Sequence, residues 1–269
     1  MREIITSVQN PTIKTAARLS CRKERNASGL FLIEGYREIK RAADRGILFQ
    51  KLLICPQFFL GTNEKALIEQ ICNQGVEMIV CSEQVFRKLS YRDRPDGLLT
   101  IAVQMQHSLN DFIAKLAAKK DPFLMIAEAI EKPGNLGTIL RSADAAGADG
   151  VIVCDRCTDI YNPNVVRASV GTLFTIPVVE ASSAETLCWL QEQKIKVIAT
   201  TPSAEKEFTH ADLTGGIAIA VGTEQLGLSE TWMHAADLEV RIPMHGVADS
   251  LNVATATTLL LYEAVRQRR

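Results

Sequence analysis

The chain has 269 residues, a formal net charge of -1 and 47% hydrophobic residues, which suits one large domain or two modest ones. Its seven cysteines are an odd number and stand mostly in apolar runs, so we expect reduced thiols in a cytoplasmic protein and no disulfide framework. The sequence begins without the apolar core of a signal peptide, and no uncharged stretch approaches the roughly 20 residues that span a bilayer. We therefore expect no membrane partner.

Basic residues are concentrated near the start of the chain. Residues 1–45 hold ten Lys and Arg against five Asp and Glu, which leaves the remainder with an acidic excess. Such a stretch is either a solvated helix face or an arm whose cations neutralise phosphates, the sequence-independent part of nucleic-acid affinity. The cations that would contact phosphates in the second case are Lys14, Arg18, Arg22, Lys23 and Arg25.

Three short apolar runs, 51–55, 76–81 and 98–103, alternate with helical patterns in the first part of the chain. This alternation predicts a smaller α/β domain over residues 1–105. The polar stretch that follows turns helical and ends in a charged Lys-Lys-Asp-Pro stop. We therefore expect a linker at 106–120 and a second domain over 121–269.

The second domain repeats the alternation more strictly. Its apolar runs are FLMIAEAI, GVIVC, KVIAT, IAIAV and LEVRI. Continuous apolar runs are typical of strands covered on both faces, so they predict a mostly parallel sheet flanked by helices. Ligand sites in such sheets lie beyond the carboxyl ends of the strands, where four constrained segments follow: 131–135, 201–205, 222–229 and 243–252.

Several common sites are disfavoured because their motifs are missing. No G-x-G-x-x-G opens a helix after the first strand of the second domain, which argues against an ordinary nicotinamide site. No Walker lysine motif or paired-histidine zinc helix appears, and the lone Cys154-x-x-Cys157 pair lacks a second pair of ligands. We therefore expect no bound metal.

Polar residues surround the start of a predicted helix in KPGNLGTILRSADAAG. A helix that begins near Asn135 stacks its apolar residues on one side and directs Arg141 elsewhere. Taken alone, Asn135 is a competent helix cap and Arg141 a surface arginine. Glu224 lies between two glycines directly after an apolar strand, where a charge needs a partner, and Arg141 would lie at the same edge of a parallel sheet.

The last stretch, RIPMHGVADSLNVATATTLLLYEAVRQRR, predicts a helix that starts around Ser250 and is apolar nearly all round. Such a helix is buried on more than one face, either inside its own domain or against another subunit. Asp249, Ser250 and Asn252 at its start are caps, or they mark a helix N-terminus that favours an anion.

Three ordered stretches together resemble one family. KPGNLGTILRSADAAG, IAIAVGTEQLGLS and IPMHGVADSLNVATATTLLLYEAVRQR are similar to the motifs of the SpoU, or TrmH, branch of the SPOUT RNA methyltransferases. ITSVQNPTIKTAARL with FLIEGYREIKRA resembles the substrate-binding domain fused to many members, so the resemblance covers nearly the whole chain. It implies methyl transfer from S-adenosylmethionine to a ribose 2'-hydroxyl of RNA, usually ribosomal and sometimes transfer RNA.

The resemblance also implies a trefoil-knotted α/β domain that works as a homodimer, joined to an N-terminal ribosomal-protein-like RNA-binding domain. Periodicity alone would discount a knot. The implied catalytic set is Asn135, Arg141, Glu224, Ser250 and Asn252. The cofactor is expected on the backbone around Thr200, Gly222, Ile242, Met244 and Leu251. One departure is Ala254, where many members have a serine, which puts in doubt a hydrogen bond near the cofactor.

Three functions remain open at this stage. The first is a ribose 2'-O-methyltransferase acting on ribosomal RNA, with residues 1–105 selecting the RNA. The second is an enzyme of the same family acting on transfer RNA, against which the added N-terminal domain argues weakly. The third is a non-catalytic RNA-binding protein on the same fold, against which the presence of Arg141, Glu224, Ser250 and Asn252 together argues.

Overall fold

A computed structural model describes residues 4–269. The strands are β1 Ile4–Ile5, β2 Leu30–Glu34, β3 Phe49–Ile54, β4 Glu77–Cys81, β5 Leu98–Val103, β6 Phe123–Glu128, β7 Gly150–Cys154, β8 Val178–Ala181, β9 Lys196–Thr200, β10 Ile217–Val221 and β11 Leu238–Val240. The α-helices are α1 Pro11–Arg18, α2 Arg22–Ser28, α3 Tyr36–Asp44, α4 Glu64–Cys72, α5 Glu83–Leu89, α6 Leu109–Leu116, α7 Pro133–Ala146, α8 Pro163–Ala168, α9 Ser183–Glu192, α10 Glu230–Ala235 and α11 Val253–Gln267.

The chain forms two compact units. The first contains the chain up to Met105 together with Asp159–Thr175, and the second contains Gln106–Thr158 with Ile176–Arg269. The stretch that we predicted as a linker includes α6, whose Phe112 and Leu116 are buried in the core of the second unit. In the described part of the chain no helix is long and apolar enough to cross a membrane.

The first unit is built on a five-stranded mixed sheet in the order β1-β4-β3-β5-β2. β4 pairs in parallel with β1 and β3, whereas β5 pairs antiparallel with β3 and β2. The three apolar runs predicted as strands are β3, β4 and β5. The prediction missed β2, although four of its five residues, LFLIE, are apolar, and it missed the two-residue β1.

The second unit is built on a six-stranded sheet in the order β11-β9-β10-β6-β7-β8. Every pairing in it is parallel, as the continuous apolar runs predicted. Helices cover both faces: α11 packs on α7, and α9 and α10 pack around Trp232 and Leu190 with the inward residues of the central strands. The prediction missed β8, a four-residue edge strand. All strands point the same way, so their carboxyl ends meet at one edge, and this edge carries the site.

Candidate functional site

A cavity of about 600 Å³ lies beyond the carboxyl ends of β9, β10 and β11. Its walls come from the loops after these three strands and from the start of α11, which are three of the four segments that the sequence predicted as ligand-binding. Its volume lies in the range of small-molecule sites. The residues expected to hold a cofactor all line it: Thr200, Gly222, Ile242, Met244 and Leu251.

Residues 222–228 form a tight loop on one wall of this cavity. The backbone of Thr223 pairs with Gly227 through two hydrogen bonds of 2.9 and 3.1 Å, and Gly227 has a φ of +70°. A Cβ atom at Gly222 would lie 2.0 Å from the Gly227 carbonyl oxygen, so only glycine allows this closure. The loop therefore presents backbone rather than a side chain to the cavity at Gly222.

Glu224 is held in this loop by polar partners from other segments. Asn135 Nδ2 donates a hydrogen bond to the Glu224 carboxylate, and Lys132 Nζ lies 3.6 Å from Glu224 Oε2. Asn252 Nδ2 donates to Asn135 Oδ1 over 3.1 Å. These contacts connect the three ordered motifs in one chain of side chains, Glu224 to Asn135 to Asn252, and Glu224 also lines the cavity.

The starts of two helices decide where these asparagines lie. α7 begins at Pro133 with Lys132 as its N-cap, so Asn135 is inside the first turn and the capping interpretation of Asn135 is wrong. Asn252 is the N-cap of α11, where its Oδ1 accepts from the backbone N–H groups of Ala254 and Thr255. Its amide nitrogen thus remains available to Asn135, and one side chain both caps a helix and connects two motifs.

Ser250 lines the cavity and is exposed, as is Asp249. Both precede the N-cap of α11, which begins at Val253 rather than at Ser250 as predicted. Ala254 is buried at 3% exposure, and Thr258 one turn later places its hydroxyl 2.7 Å from the Ser142 hydroxyl of α7. The Ala254 position therefore packs into the helix pair.

Arg141 is exposed on α7, whose opposite side buries Leu136, Ile139, Leu140 and Ala143 as the helical spacing predicted. The cavity wall does not include Arg141, and within residues 4–269 no side chain forms a hydrogen bond or ion pair with its guanidinium. Glu224, the carboxylate that we expected near Arg141, is bound to Asn135 and Lys132 instead. The structure thus brings Asn135, Glu224 and Asn252 together and leaves Arg141 outside this cluster.

Two residues that the sequence analysis missed anchor the loops of the site. Glu128 at the end of β6 is 5% exposed, and its Oε2 accepts a hydrogen bond of 2.8 Å from the Ser229 backbone N–H, at the end of the 222–228 loop. Thr158 Oγ1 donates to the Glu131 carbonyl, next to Lys132. A buried carboxylate at a strand end was the available signal for Glu128.

The two cysteines Cys154 and Cys157 lie in different environments. Cys154 is fully buried, and its burial raises the pKa of the thiol to about 12, whereas Cys157 is exposed. Among residues 4–269, no group of three or more His, Cys, Asp or Glu side chains could hold a metal ion.

The predicted phosphate-contacting cations fall into two classes. Lys14, Arg18, Arg22 and Lys23 are exposed on α1 and α2. Arg25 is 1% exposed, and its guanidinium lies 2.6 Å from the Asp159 carboxylate and donates to the carbonyls of Leu19 and Ser20. Arg25 is therefore a structural residue, and its assignment to RNA contact is corrected because a phosphate cannot reach it.

Two family models match the chain. The model described as the SpoU rRNA Methylase family matches residues 122–262, which contain all three ordered motifs. The model described as the MRM3-like substrate binding domain matches residues 10–100. The two matches together cover most of both halves of the chain.

Individual relatives align over nearly the full length. A 23S rRNA (uridine(2479)-2'-O)-methyltransferase of Streptomyces viridochromogenes is 33% identical, over 94% of this chain and 88% of that one. A crystal structure of an RNA 2'-O ribose methyltransferase is 43% identical with a TM-score of 0.87, covering 98% of this chain and 99% of that one. An AdoMet-bound rRNA methyltransferase of Sinorhizobium meliloti is 30% identical with a TM-score of 0.87, covering 98% and 97%.

Proposed function

Because the chain belongs to the SpoU rRNA methylase family, we propose that it transfers a methyl group from S-adenosylmethionine to a ribose 2'-hydroxyl of ribosomal RNA. The observation that carries this proposal is the hydrogen-bonded chain from Glu224 through Asn135 to Asn252 at the edge of the cavity. It joins the three motifs of the family in one place, which helix capping and solvation alone do not require.

The cavity fits S-adenosylmethionine. It combines an apolar interior, including Leu228, Val240 and Leu260, with exposed backbone at the ends of three strands. This mixture suits an adenosine ring system with polar edges, and the bare backbone at Gly222 allows close approach. The residues proposed to hold the cofactor are Thr200, Gly222, Ile242, Met244 and Leu251. When bound, S-adenosylmethionine supplies an electrophilic methyl group on a sulfonium.

The side chains around the cavity would orient the ribose. The Glu224 carboxylate fixes the amide of Asn135, so that the position of α7 relative to the 222–228 loop is set before RNA binds. The Lys132 side chain is 69% exposed, and its Nζ provides a positive charge next to Glu224. Ser250 presents a hydroxyl at the cavity wall, where it can donate to or accept from a ribose oxygen.

Arg141 is proposed to stabilise the negative charge that develops on the ribose oxygen while the hydroxyl proton passes to solvent water. A guanidinium is charged at neutral pH and has no acceptor while charged, so direct proton abstraction is costly. A fixed positive charge aimed at developing negative charge is an effective form of catalysis. The alternative is a guanidinium made less basic by its site and acting as the base.

The exposed apolar side chains near α11 bear on the oligomeric state of the enzyme. We propose a homodimer whose contact includes the exposed side chains Leu251, Leu259 and Tyr262 of the α11 region, since large apolar groups on a helix face favour a partner. We also propose that residues 121–269 form the trefoil-knotted catalytic domain, that residues 1–105 select the RNA, and that the protein works in the cytoplasm.

The deciding experiment is methylation of ribosomal RNA in vitro with purified protein and labelled S-adenosylmethionine, followed by mapping of 2'-O-methyl marks. Ribosomal RNA isolated from a strain that lacks the gene should be missing one 2'-O-methyl mark. We expect the purified protein to label that same ribose in vitro. Labelling of transfer RNA and not of ribosomal RNA would show that the substrate is transfer RNA. Failure to bind S-adenosylmethionine in calorimetry would favour the non-catalytic RNA-binding function.

A further inference from the structure

Two helices form one face of the first unit. α1 and α5 pack on each other, and Ile13 and Ala16 of α1 share a buried cluster with Val85 and Phe86 of α5. The cluster also contains Leu32, Leu53, Leu99 and Ile101, the strand residues that point to this side of the sheet. The two helices are therefore neighbours in space, although α1 ends at Arg18 and α5 begins only at Glu83.

The outer side of these two helices is basic. Lys14 and Arg18 of α1 and Arg87 and Lys88 of α5 are all exposed. α1 contains no acidic residue, and α5 contains one, Glu83, whose carboxylate lies 3.9 Å from Arg87. Arg87 also lies over the ring of Phe58, with 4.5 Å from its guanidinium carbon to the ring centroid. We call the four cations Lys14, Arg18, Arg87 and Lys88 the α1–α5 face.

The other side of the sheet is occupied by the chain itself. Phe31 of β2 has its ring centroid 4.7 Å from that of Tyr161, in the segment Asp159–Thr175. Arg41 of α3 donates to the Val170 carbonyl over 2.5 Å, and a Cβ atom at Gly171 would lie 3.0 Å from the Glu38 Cα atom. This segment therefore covers part of α3 and β2 and leaves less of that side open to a large ligand.

The helices on the covered side also have balanced charge. α3 carries Arg37, Lys40 and Arg41 against Glu38 and Asp44, and α4 carries Lys65 against Glu64 and Glu69. Lys40 and Arg41 are engaged with Asp44 and Val170. The exposed cations Arg37 of α3 and Lys65 of α4 are a natural comparison for the α1–α5 face.

We propose that the α1–α5 face binds the phosphate backbone of the substrate RNA, and that Arg87 and Lys88 contact phosphates together with Lys14 and Arg18. This inference rests on the proposed function for its choice of RNA as the ligand. Four exposed cations with one acidic neighbour, Glu83, leave a net positive face that attracts phosphates through counterion release, whereas equal numbers of cations and acids leave no net charge. α5 lies outside the basic N-terminal stretch, so the chain sequence did not point to it.

The test compares two charge-matched variants of the full-length protein. Arg87→Gln with Lys88→Gln removes two cations from the α1–α5 face, and Arg37→Gln with Lys65→Gln removes two from the covered side. We expect the first variant to bind ribosomal RNA roughly tenfold more weakly and to lower the slope of log affinity against log salt by about 2, as for two lost phosphate contacts. The second variant should bind as the wild type does.

The S-adenosylmethionine affinity should be unchanged in both variants, because neither pair lines the cavity. If Arg87→Gln lowers stability through its contact with Phe58, Lys14→Gln with Lys88→Gln provides the same test without that contact. Equal RNA affinity and salt slope in all variants, or a larger loss in Arg37→Gln with Lys65→Gln, would overturn the inference. A wild-type protein that binds RNA through this face but never methylates it would overturn the proposed function alone.

Discussion

Asn135 precedes Glu224 by 89 positions and Asn252 by 117, and its side chain forms hydrogen bonds with both. The two contacts use both ends of the amide, since the nitrogen donates to Glu224 and the oxygen accepts from Asn252. Each alternative orientation of the amide would lose a bond, so the side chain is fixed. A fixed Asn135 keeps the start of α7, the 222–228 loop and the start of α11 in one arrangement.

Arg141→Ala should lower the turnover rate on the correct RNA by at least about a hundredfold. One preorganised donor to a developing oxyanion typically contributes about that factor to the rate. The affinity for S-adenosylmethionine should stay nearly unchanged, because Arg141 is not part of the cavity wall. Single-turnover kinetics and calorimetry measure the two quantities. Wild-type turnover in this variant would show that Arg141 is an ordinary surface arginine.

Arg141→Lys separates the two roles of the arginine. A lysine has a pKa about two or more units below that of arginine and can serve as a base, but it lacks the planar fork. We expect an inactive variant at every pH, which is the electrostatic outcome. Activity that rises with pH towards the lysine pKa would support the base mechanism instead.

Glu128→Ala should weaken S-adenosylmethionine binding, although Glu128 does not line the cavity. The substitution leaves the Ser229 backbone N–H without its acceptor, which costs about 1–3 kcal/mol and loosens the end of the 222–228 loop. Glu128→Gln retains an acceptor oxygen and should recover most of the affinity. Calorimetry on both variants decides, and equal affinities in the Ala, Gln and wild-type proteins would contradict this positioning role.

The segment Asp159–Thr175 belongs to one unit by its contacts and to the other by its sequence match. It lies inside the residues matched by the methylase family model, yet it packs in the first unit, with α8 against β2. Its entry point is fixed by the buried ion pair between Arg25 and Asp159. Deletion of residues 1–105 would remove the residues against which this segment packs. Point substitutions therefore test the role of the first unit more cleanly than this deletion does.

Arg25→Met should lower the free energy of unfolding by about 3–5 kcal/mol, because it leaves the Asp159 carboxylate buried without its partner. Arg18→Met, on the exposed side of α1, should change it by no more than about 0.5 kcal/mol. Chemical denaturation of both variants measures the difference. Replacing both partners, Arg25→Met with Asp159→Leu, should recover part of the loss, and equal stability of the Arg25 and Arg18 variants would refute the structural role.

At the scale of the whole molecule, Arg141 and the exposed side of α11 share one surface of the second unit. Ser142, next to Arg141, lies against Thr258, and the Tyr262 hydroxyl reaches the Ala145 carbonyl over 3.5 Å. Leu259 and Tyr262 are 41% and 47% exposed on that surface. A dimer formed there would place Arg141 at the interface, within reach of a second copy.

Mixing two inactive variants tests whether Arg141 serves the cavity of its partner. Arg141→Ala mixed with Glu224→Ala should restore about a quarter of wild-type activity, since about half of the dimers are mixed and each has one complete site. The double variant mixed with Arg141→Ala is the control and should stay inactive. Sedimentation of an active monomer, or no restoration after verified subunit exchange, would rule this arrangement out.

The sequence alone predicted much of this protein. Continuous apolar runs predicted β3 to β5 and the parallel sheet of the second unit, because a strand buried on both faces has no polar alternation. The resemblance to the family implied the positions around Thr200, Gly222 and Leu251, and these residues line one cavity because loops after parallel strands meet at one edge. The missed strands β2 and β8 both lie at an edge of their sheets, and β2 pairs with β5, which begins only at Leu98.

The pairing of the polar residues depends on contacts that form only in the folded chain. Glu224 is bound by Asn135 and Lys132 rather than by Arg141, because the 222–228 loop closes towards the first turn of α7. Arg25 and Arg18 look alike in the sequence, yet Asp159, 134 positions after Arg25, makes one buried and leaves the other exposed. Local patterns report which face of an element is apolar, whereas the partner of a charge depends on contacts between distant segments that no local pattern encodes.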